Sequence, residues 1–263
     1  MKIKPENIVL KAHNLAIGYT NKKETTVIAK NINFELQKGS LIGLIGTNGI
    51  GKSTLLKTIT QQLPVINGSF FIDKEDINQI QPHQLATKIS VVLTENVSNI
   101  NLSVQELITL GRQPYTNWIG TLKPKDIQKT EEAMQLTNIT HLAHKRCFEL
   151  SDGQLQKVML ARALAQDTPL IILDEPTTHL DLYHKVSVLK LLQQLAQEMK
   201  KTILFSTHEI NVALSLCDQL IVMKKEETSI GSPQELIAKK AFDNLFPSDL
   251  VTFDKKTSSF KIK

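Results

Sequence analysis

Eight residues constrain this chain more than any others. Gly46-Thr47-Asn48-Gly49-Ile50-Gly51-Lys52-Ser53 lie between the short apolar run Leu41–Ile45 and a stretch in which Leu55, Leu56, Ile59 and Leu63 recur at helical spacing until Pro64. The run suits a strand buried on both faces of a parallel sheet, and the recurrence is that of a helix. Strand, glycine-rich loop and helix in that order form a cradle for a phosphate chain. Gly46, Gly49 and Gly51 let the backbone approach, and successive N–H groups form an anion nest. The helix start turns its positive dipole end to the same place. Lys52 can reach β- and γ-oxygens, and the Ser53 hydroxyl can ligate Mg²⁺. A nucleoside triphosphate with Mg²⁺ is the expected ligand.

Around this nucleus the chain reads as α/β. Residues 8–36 are expected to be strands, with Ile32, Phe34 and Leu36 alternating against Asn33 and Glu35 in the period of a half-buried antiparallel strand. Asn67-Gly68 marks a turn, and Ile89–Leu93 is a further strand. From Thr94 to about Gln166 the pattern is mainly helical, with Ser103-Val104-Gln105-Glu106 as a capping box. Beyond it, strand Leu170–Leu173, a helix from about Leu182 to Met199, strand Thr202–Phe205, helix Glu209–Leu216 and strand Leu220–Met223 alternate. Such alternation indicates a parallel sheet.

Ligands of open α/β sheets gather at the carboxyl ends of the strands. Asp174 and Glu175 end the run Leu170–Leu173, and His208 follows Thr202–Phe205, so all three are expected to face the phosphate loop. Asp174 can orient Mg²⁺ and its waters, Glu175 can polarise an attacking water, and His208 can hydrogen-bond the γ-phosphate. Ser151-Asp152-Gly153-Gln154 is a second Ser-x-x-Gln capping box, followed by Leu155, Val158, Met159 and Arg162 on one helical face. Gly153 permits close backbone approach there, and the product is another helix start suited to a γ-phosphate.

Composition excludes several classes. The 263 residues are 41% apolar and 22% charged, ordinary for a globular protein. No apolar run approaches the roughly 20 residues that span a bilayer, and Met1-Lys2-Ile3-Lys4-Pro5 lacks the apolar stretch of a signal peptide. A cytosolic chain that meets membranes through a partner is expected. Cys147 and Cys217 form no disulfide or metal pattern, and His141 and His144 lack supporting ligands. The net charge of +5 is spread along the chain without a polybasic tract, so nucleic acid is not an expected partner.

The phosphate loop, the Leu150-Ser151-Asp152-Gly153-Gln154 segment and the Leu170–Pro176 run, in that order and spacing, resemble the ATP-binding cassette (ABC) ATPases over about residues 8–237. The resemblance implies a P-loop α/β core with an N-terminal antiparallel β subdomain and an inserted helical subdomain. Residues 1–240 would form the nucleotide-binding domain, with the insert at about 95–165 and an appendage at 241–263 in which Phe242–Lys263 carries no readable motif. It implies that Tyr19 stacks on adenine, that Thr54 contacts the α-phosphate, and that Ile50, bulkier than usual, affects packing. Ser151, Gly153 and Gln154 would serve ATP held by a second copy, so the resemblance implies a homodimer. Thr178-His179-Leu180-Asp181 matches the loop that passes between the two sites.

Two positions depart from the family pattern. Asp152 replaces a common glycine and is expected to point away from the γ-phosphate. Thr94 stands where the family has a glutamine that touches Mg²⁺ and couples to the membrane partner; its oxygen can still contact metal, and Glu95 can substitute. Gly111-Arg112-Gln113-Pro114-Tyr115-Thr116-Asn117-Trp118 is similar to a segment of importers for ferric siderophores, haem and cobalamin, or is a polar loop with two packed aromatics. Those importers join two ATPase subunits to a transmembrane permease and an external binding protein, placing this chain at the cytoplasmic face of the membrane. Two other readings are a soluble ABC ATPase of iron–sulfur cluster assembly and one acting on ribosomes or nucleic acid. The Arg112–Trp118 segment speaks against the first; a single signature without sustained heptads speaks against the second.

Overall fold

The computed structural model describes residues 7–21, 24–93, 101–178, 180–225, 227–243, 245–246, 250–255 and 257–262. Its elements begin with β1 (Ile8–Asn21), β2 (Glu24–Gln37), β3 (Leu41–Gly46), α1 (Lys52–Ile59), β4 (Asn67–Ile72) and β5 (Glu75–Asp76). There follow α2 (Pro82–Lys88), β6 (Ile89–Val92), α3 (Val104–Thr109), α4 (Pro124–Leu136), α5 (Asp152–Ala165) and β7 (Leu170–Leu173). The chain continues through α6 (Leu182–Met199), β8 (Thr202–Ser206), α7 (Ile210–Leu216) and β9 (Gln219–Met223). It closes with β10 (Thr228–Gly231), α8 (Pro233–Ala238), β11 (Val251–Asp254) and β12 (Ser259–Ile262). Two compact units are formed, one from Met1–Ile80 with Leu192–Lys263, the other from Gln81–Leu191.

In the first unit β3 lies between β8 and β9, parallel to both, with Leu41 opposite Ile203 and Ile42 opposite Gln219. All six β3 residues are buried, which is why its sequence is apolar without alternation. The strands β1, β2 and β4 pair antiparallel. In β2 the alternation holds: Ile32, Phe34 and Leu36 are buried while Asn33 is exposed.

Two local expectations need correction. Asn67-Gly68 is not a turn but the start of β4, opposite a register shift in β1 between His13 and Ala16. Gly68 has φ 88, and a Cβ there would meet the Asn14 carbonyl oxygen at 2.3 Å, so glycine is required by a close approach. The turn lies at Asp73-Lys74, both left-handed at φ 46 and 73. The helix after the phosphate loop stops at Ile59 rather than running to Leu63. Gln61 turns left-handed at φ 57, and the amides of Gln61 and Gln62 return to the carbonyls of Thr58 and Lys57 at 3.2 and 2.9 Å, a Schellman closure.

The second unit holds the parallel pair β6 and β7, with Val92 opposite Leu173, together with α2 to α5. Its interior contains an ion pair. Arg112, 3% exposed, places Nη2 at 2.9 Å and Nε at 3.0 Å from Asp126 Oδ1. Its Nη1 donates to the Ala165 carbonyl at 2.7 Å, and the guanidinium lies 4.0 Å from the Tyr115 ring centre. Trp118, by contrast, is 94% exposed, so the segment is not a loop with two packed aromatics. Desolvation acts to raise the Asp126 pKa, but hydrogen bonds from the Lys123 amide and the Arg112 guanidinium, with the guanidinium charge, hold it below the usual value.

Breaking a buried pair strands the remaining charge. Arg112→Leu is expected to cost about 3 kcal/mol in urea unfolding at neutral pH, and adding Asp126→Leu to recover part of that. Because the folded pKa of Asp126 is depressed, the stabilisation is present above the unfolded value of about 3.9 and is lost as pH falls through the folded one. Acid titration of the wild type and of the double variant checks this sign: only the wild type should lose this increment below pH about 4.

Candidate functional site

In the first unit the loop after β3 is shaped by glycine. Gly49 and Gly51 have φ 75 and 109, and Gly51 caps α1 in the left-handed region. A Cβ on Gly51 would sit 2.9 Å from Ile28 Cγ2, and one on Gly46 2.7 Å from the Met223 carbonyl oxygen. Ile50 Cγ2 lies 2.9 Å from that same Gly46 position, so the bulky side chain packs over the loop base. Lys52, 6% exposed, folds back so that Nζ donates to the Gly46 and Thr47 carbonyls at 3.0 and 3.3 Å. Thr47, Asn48 and Ser53 keep exposed or half-exposed positions. This loop suits a phosphate chain: open to solvent at its tip, tight at its base.

Tyr19, on β1 and 47% exposed, sits beside the loop with its hydroxyl 3.1 Å from the Thr54 hydroxyl. His208 arrives from the neighbouring strand. Ser206 of β8 pairs with Leu44 of β3, and the Thr207 amide donates to the Leu44 carbonyl at 3.1 Å. Two residues beyond Ser206 and two beyond Leu44 bring His208 level with Gly46. Parallel pairing thus gathers the loop and the exposed histidine at the same strand ends.

In the second unit β7 delivers the acidic pair. Asp174 is 6% exposed, and its amide donates to the Val92 carbonyl at 2.9 Å. Glu175 is half-buried and left-handed, φ 48, a conformation that costs a non-glycine residue about 1 kcal/mol. Its Oε2 accepts from the Thr178 hydroxyl at 3.0 Å, and its carbonyl from the Thr178 amide at 3.1 Å. Strain of this kind collects where a side chain must be aimed. Thr94, Glu95 and His179 lie outside the described residues.

The capping box at α5 forms as expected. The Gln154 amide donates to Ser151 Oγ at 3.4 Å, and the Ser151 amide to Gln154 Oε1 at 3.1 Å. Asp152 opens the first turn exposed, and Gly153 follows it half-buried.

The sequence model of the ABC transporter family matches residues 29–178, more than half of the chain. The chain belongs to that family. An uncharacterized ABC transporter ATP-binding protein of Methanocaldococcus jannaschii is 36% identical, over 97% of this chain and 87% of its own length. A petrobactin import ATP-binding protein of Bacillus anthracis is 34% identical over 84% and 81%, and the ferric enterobactin transport ATP-binding protein of Escherichia coli 32% over 90% and 86%. Among solved structures, a dimeric ATP-binding cassette in a post-hydrolysis state with ADP and Pi superposes with TM-score 0.72 at 28% identity, over 85% of this chain and 98% of that one. A transporter described as of metal-chelate type, inward-facing, gives TM-score 0.79 at 30% identity over 97% and 96%.

This ABC ATPase carries one arrangement that the sequence reading missed. Asp181 caps α6 by accepting the His184 amide at 2.8 Å, and both its oxygens lie 2.9 Å from His184 Nδ1. These hydrogen bonds, the amide's first, hold the Asp181 carboxyl below its usual pKa. The same imidazole closes on α5, the signature helix that opens with Ser151–Gln154: a Cβ on Gly153 would lie 3.3 Å from His184 Cδ2. The Asp-x-x-His spacing at a helix start was the available signal.

The cap separates helix stability from ligand chemistry. Ser151→Ala should cost about 1 kcal/mol in urea unfolding, whereas Ser151→Asp, which also caps, should leave the midpoint near wild type.

Proposed function

We propose that this ABC ATPase energises import of a ferric siderophore, or of haem or cobalamin, across a membrane. The observation that carries the cargo class is the set of relatives named for petrobactin, achromobactin and enterobactin transport, 32–34% identical over 84–90% of this chain. Two copies would form the ATPase pair at the cytoplasmic face of the membrane, joined to a permease and through it to an external binding protein. Among the described residues no helix is long and apolar enough to cross a membrane, so the permease would supply the path. Residues 1–240 would be the working cassette, the helical insert at about 95–165 its link to the permease, and 241–263 an appendage.

Each site residue takes one role. Gly46–Gly51 receive the phosphate chain on their amides, Lys52 neutralises β/γ charge, and the Thr54 hydroxyl meets the α-phosphate. Tyr19, held beside Thr54, stacks on adenine. Ser53 and Asp174 hold Mg²⁺, with Thr94 as a weaker contact; when bound, the ion neutralises charge on the β- and γ-oxygens. Glu175, pinned by Thr178, orients the attacking water, and His208 fixes the γ-phosphate. Ser151, Gly153 and Gln154 of one copy close on the triphosphate of the other.

Purification of the tagged chain from solubilised membranes tests the assembly: a co-purifying permease is expected, and recovery with soluble assembly partners or ribosomes instead would overturn it. Glu175→Gln should retain ATP, trap a dimer by size-exclusion chromatography and lose turnover about 100-fold. Ser151→Asp should keep its fold yet lose turnover by repulsion. Tyr19→Ala should raise the KM for ATP about fivefold, while Tyr19→Phe stays within about twofold.

A further inference from the structure

The C-terminal segment carries no motif in the sequence, yet it is tied to the helix that follows His208. Strands β11 and β12 pair antiparallel, Phe253 opposite Phe260. Their rings meet at 5.0 Å and cluster with Phe242, stacked on Phe253 at 4.9 Å, and with Phe246, 5.3 Å from Phe260. Phe242 is 1% exposed, so the hairpin is anchored by a buried ring rather than trailing from the surface. The Asn211 side chain then takes both main-chain groups of Phe260: the Phe260 amide donates to Oδ1 at 2.8 Å, and Nδ2 donates to the Phe260 carbonyl at 3.3 Å. The amide side chain thereby continues the strand edge as a backbone group would.

Asn211 is the second residue of α7, three beyond His208. The backbone between them is short and constrained: the Ile210 amide donates to the His208 carbonyl at 3.0 Å, and the Glu209 amide to Thr207 Oγ1 at 3.0 Å. On its other side His208 adjoins Thr207, whose amide is fastened to β3. His208 therefore lies between a strand end fastened to β3 and a helix start to which the hairpin is bonded.

We propose that the C-terminal hairpin positions His208, and that Asn211 transmits the constraint. This rests on the reading of His208 as the γ-phosphate contact. Asparagine suits the role because it offers one donor and one acceptor at the same reach; aspartate keeps only the acceptor and leucine neither.

Steady-state Mg-ATPase of the full-length protein tests the proposal. Asn211→Leu should lower kcat about fivefold, with the KM for ATP and the thermal midpoint near wild type, because the loop and Tyr19 supply most of the ATP contacts and His208 meets only the γ-phosphate. Asn211→Asp should fall between leucine and wild type, and it carries the test if the leucine variant does not fold. In the His208→Ala background, Asn211→Leu should cause no further loss, a non-additivity that general destabilisation does not produce. Wild-type kcat in Asn211→Leu, or a full extra loss on top of His208→Ala, would overturn the positioning role. Normal turnover in His208→Ala alone would instead remove the γ-phosphate reading beneath it.

Discussion

A triphosphate concentrates several negative charges in a small volume, and backbone amides already pointing at it are the most rigid donors a chain can offer. That single demand organises the first unit. The amides converge only if the loop enters left-handed backbone at Gly49 and Gly51, a conformation that glycine adopts without strain. The loop stays aimed only if the strand beneath it cannot tilt, and β3 is locked between two parallel neighbours with every residue buried. Parallel pairing has a further consequence: whatever follows β8 emerges at the same level, which is how a histidine more than 150 residues away comes abreast of Gly46.

The features legible in the sequence are those in which one physical cause leaves one pattern. Strands buried on both faces read as apolar runs, so β3, β7, β8 and β9 were recognisable within a residue or so of their ends. Reciprocal capping leaves a serine three residues before an acid or amide, so Ser103–Glu106 and Ser151–Gln154 were visible before any contact was known. Features set by tertiary context were not. Asn67-Gly68 has turn composition, but its glycine answers a close approach by Asn14 from another strand. Gln61 ends α1 left-handed although nothing in its side chain favours that. The β11–β12 hairpin lacks an Asn-Gly turn, and its partner residue, Asn211, is 49 positions from Phe260. His184 belongs to the same class: its capping bond is local and was findable, whereas its contact with Gly153 is not.

The helical unit shows how a helix start becomes a dependable anion site. A capped N-terminus alone has direction but no fixed place, because a helix free at its far end can slide or swing. In α5 both ends are held. Ser151 and Gln154 satisfy each other's amides at the front, while at the rear the Ala165 carbonyl accepts from Arg112. Arg112 is itself immobilised by the buried Asp126 and by Tyr115. Within the Gly111–Trp118 segment, which in the sequence is similar to a segment of importers, Arg112 and Tyr115 thus have a mechanical reason to be there. It converts a charge that would be costly to bury into a strut for the signature helix. Because Asp126 sits in the first turn of α4, the same strut fixes α4 to α5. A push on the exposed 117–122 segment, which leads into α4, would reach α5 through the same strut.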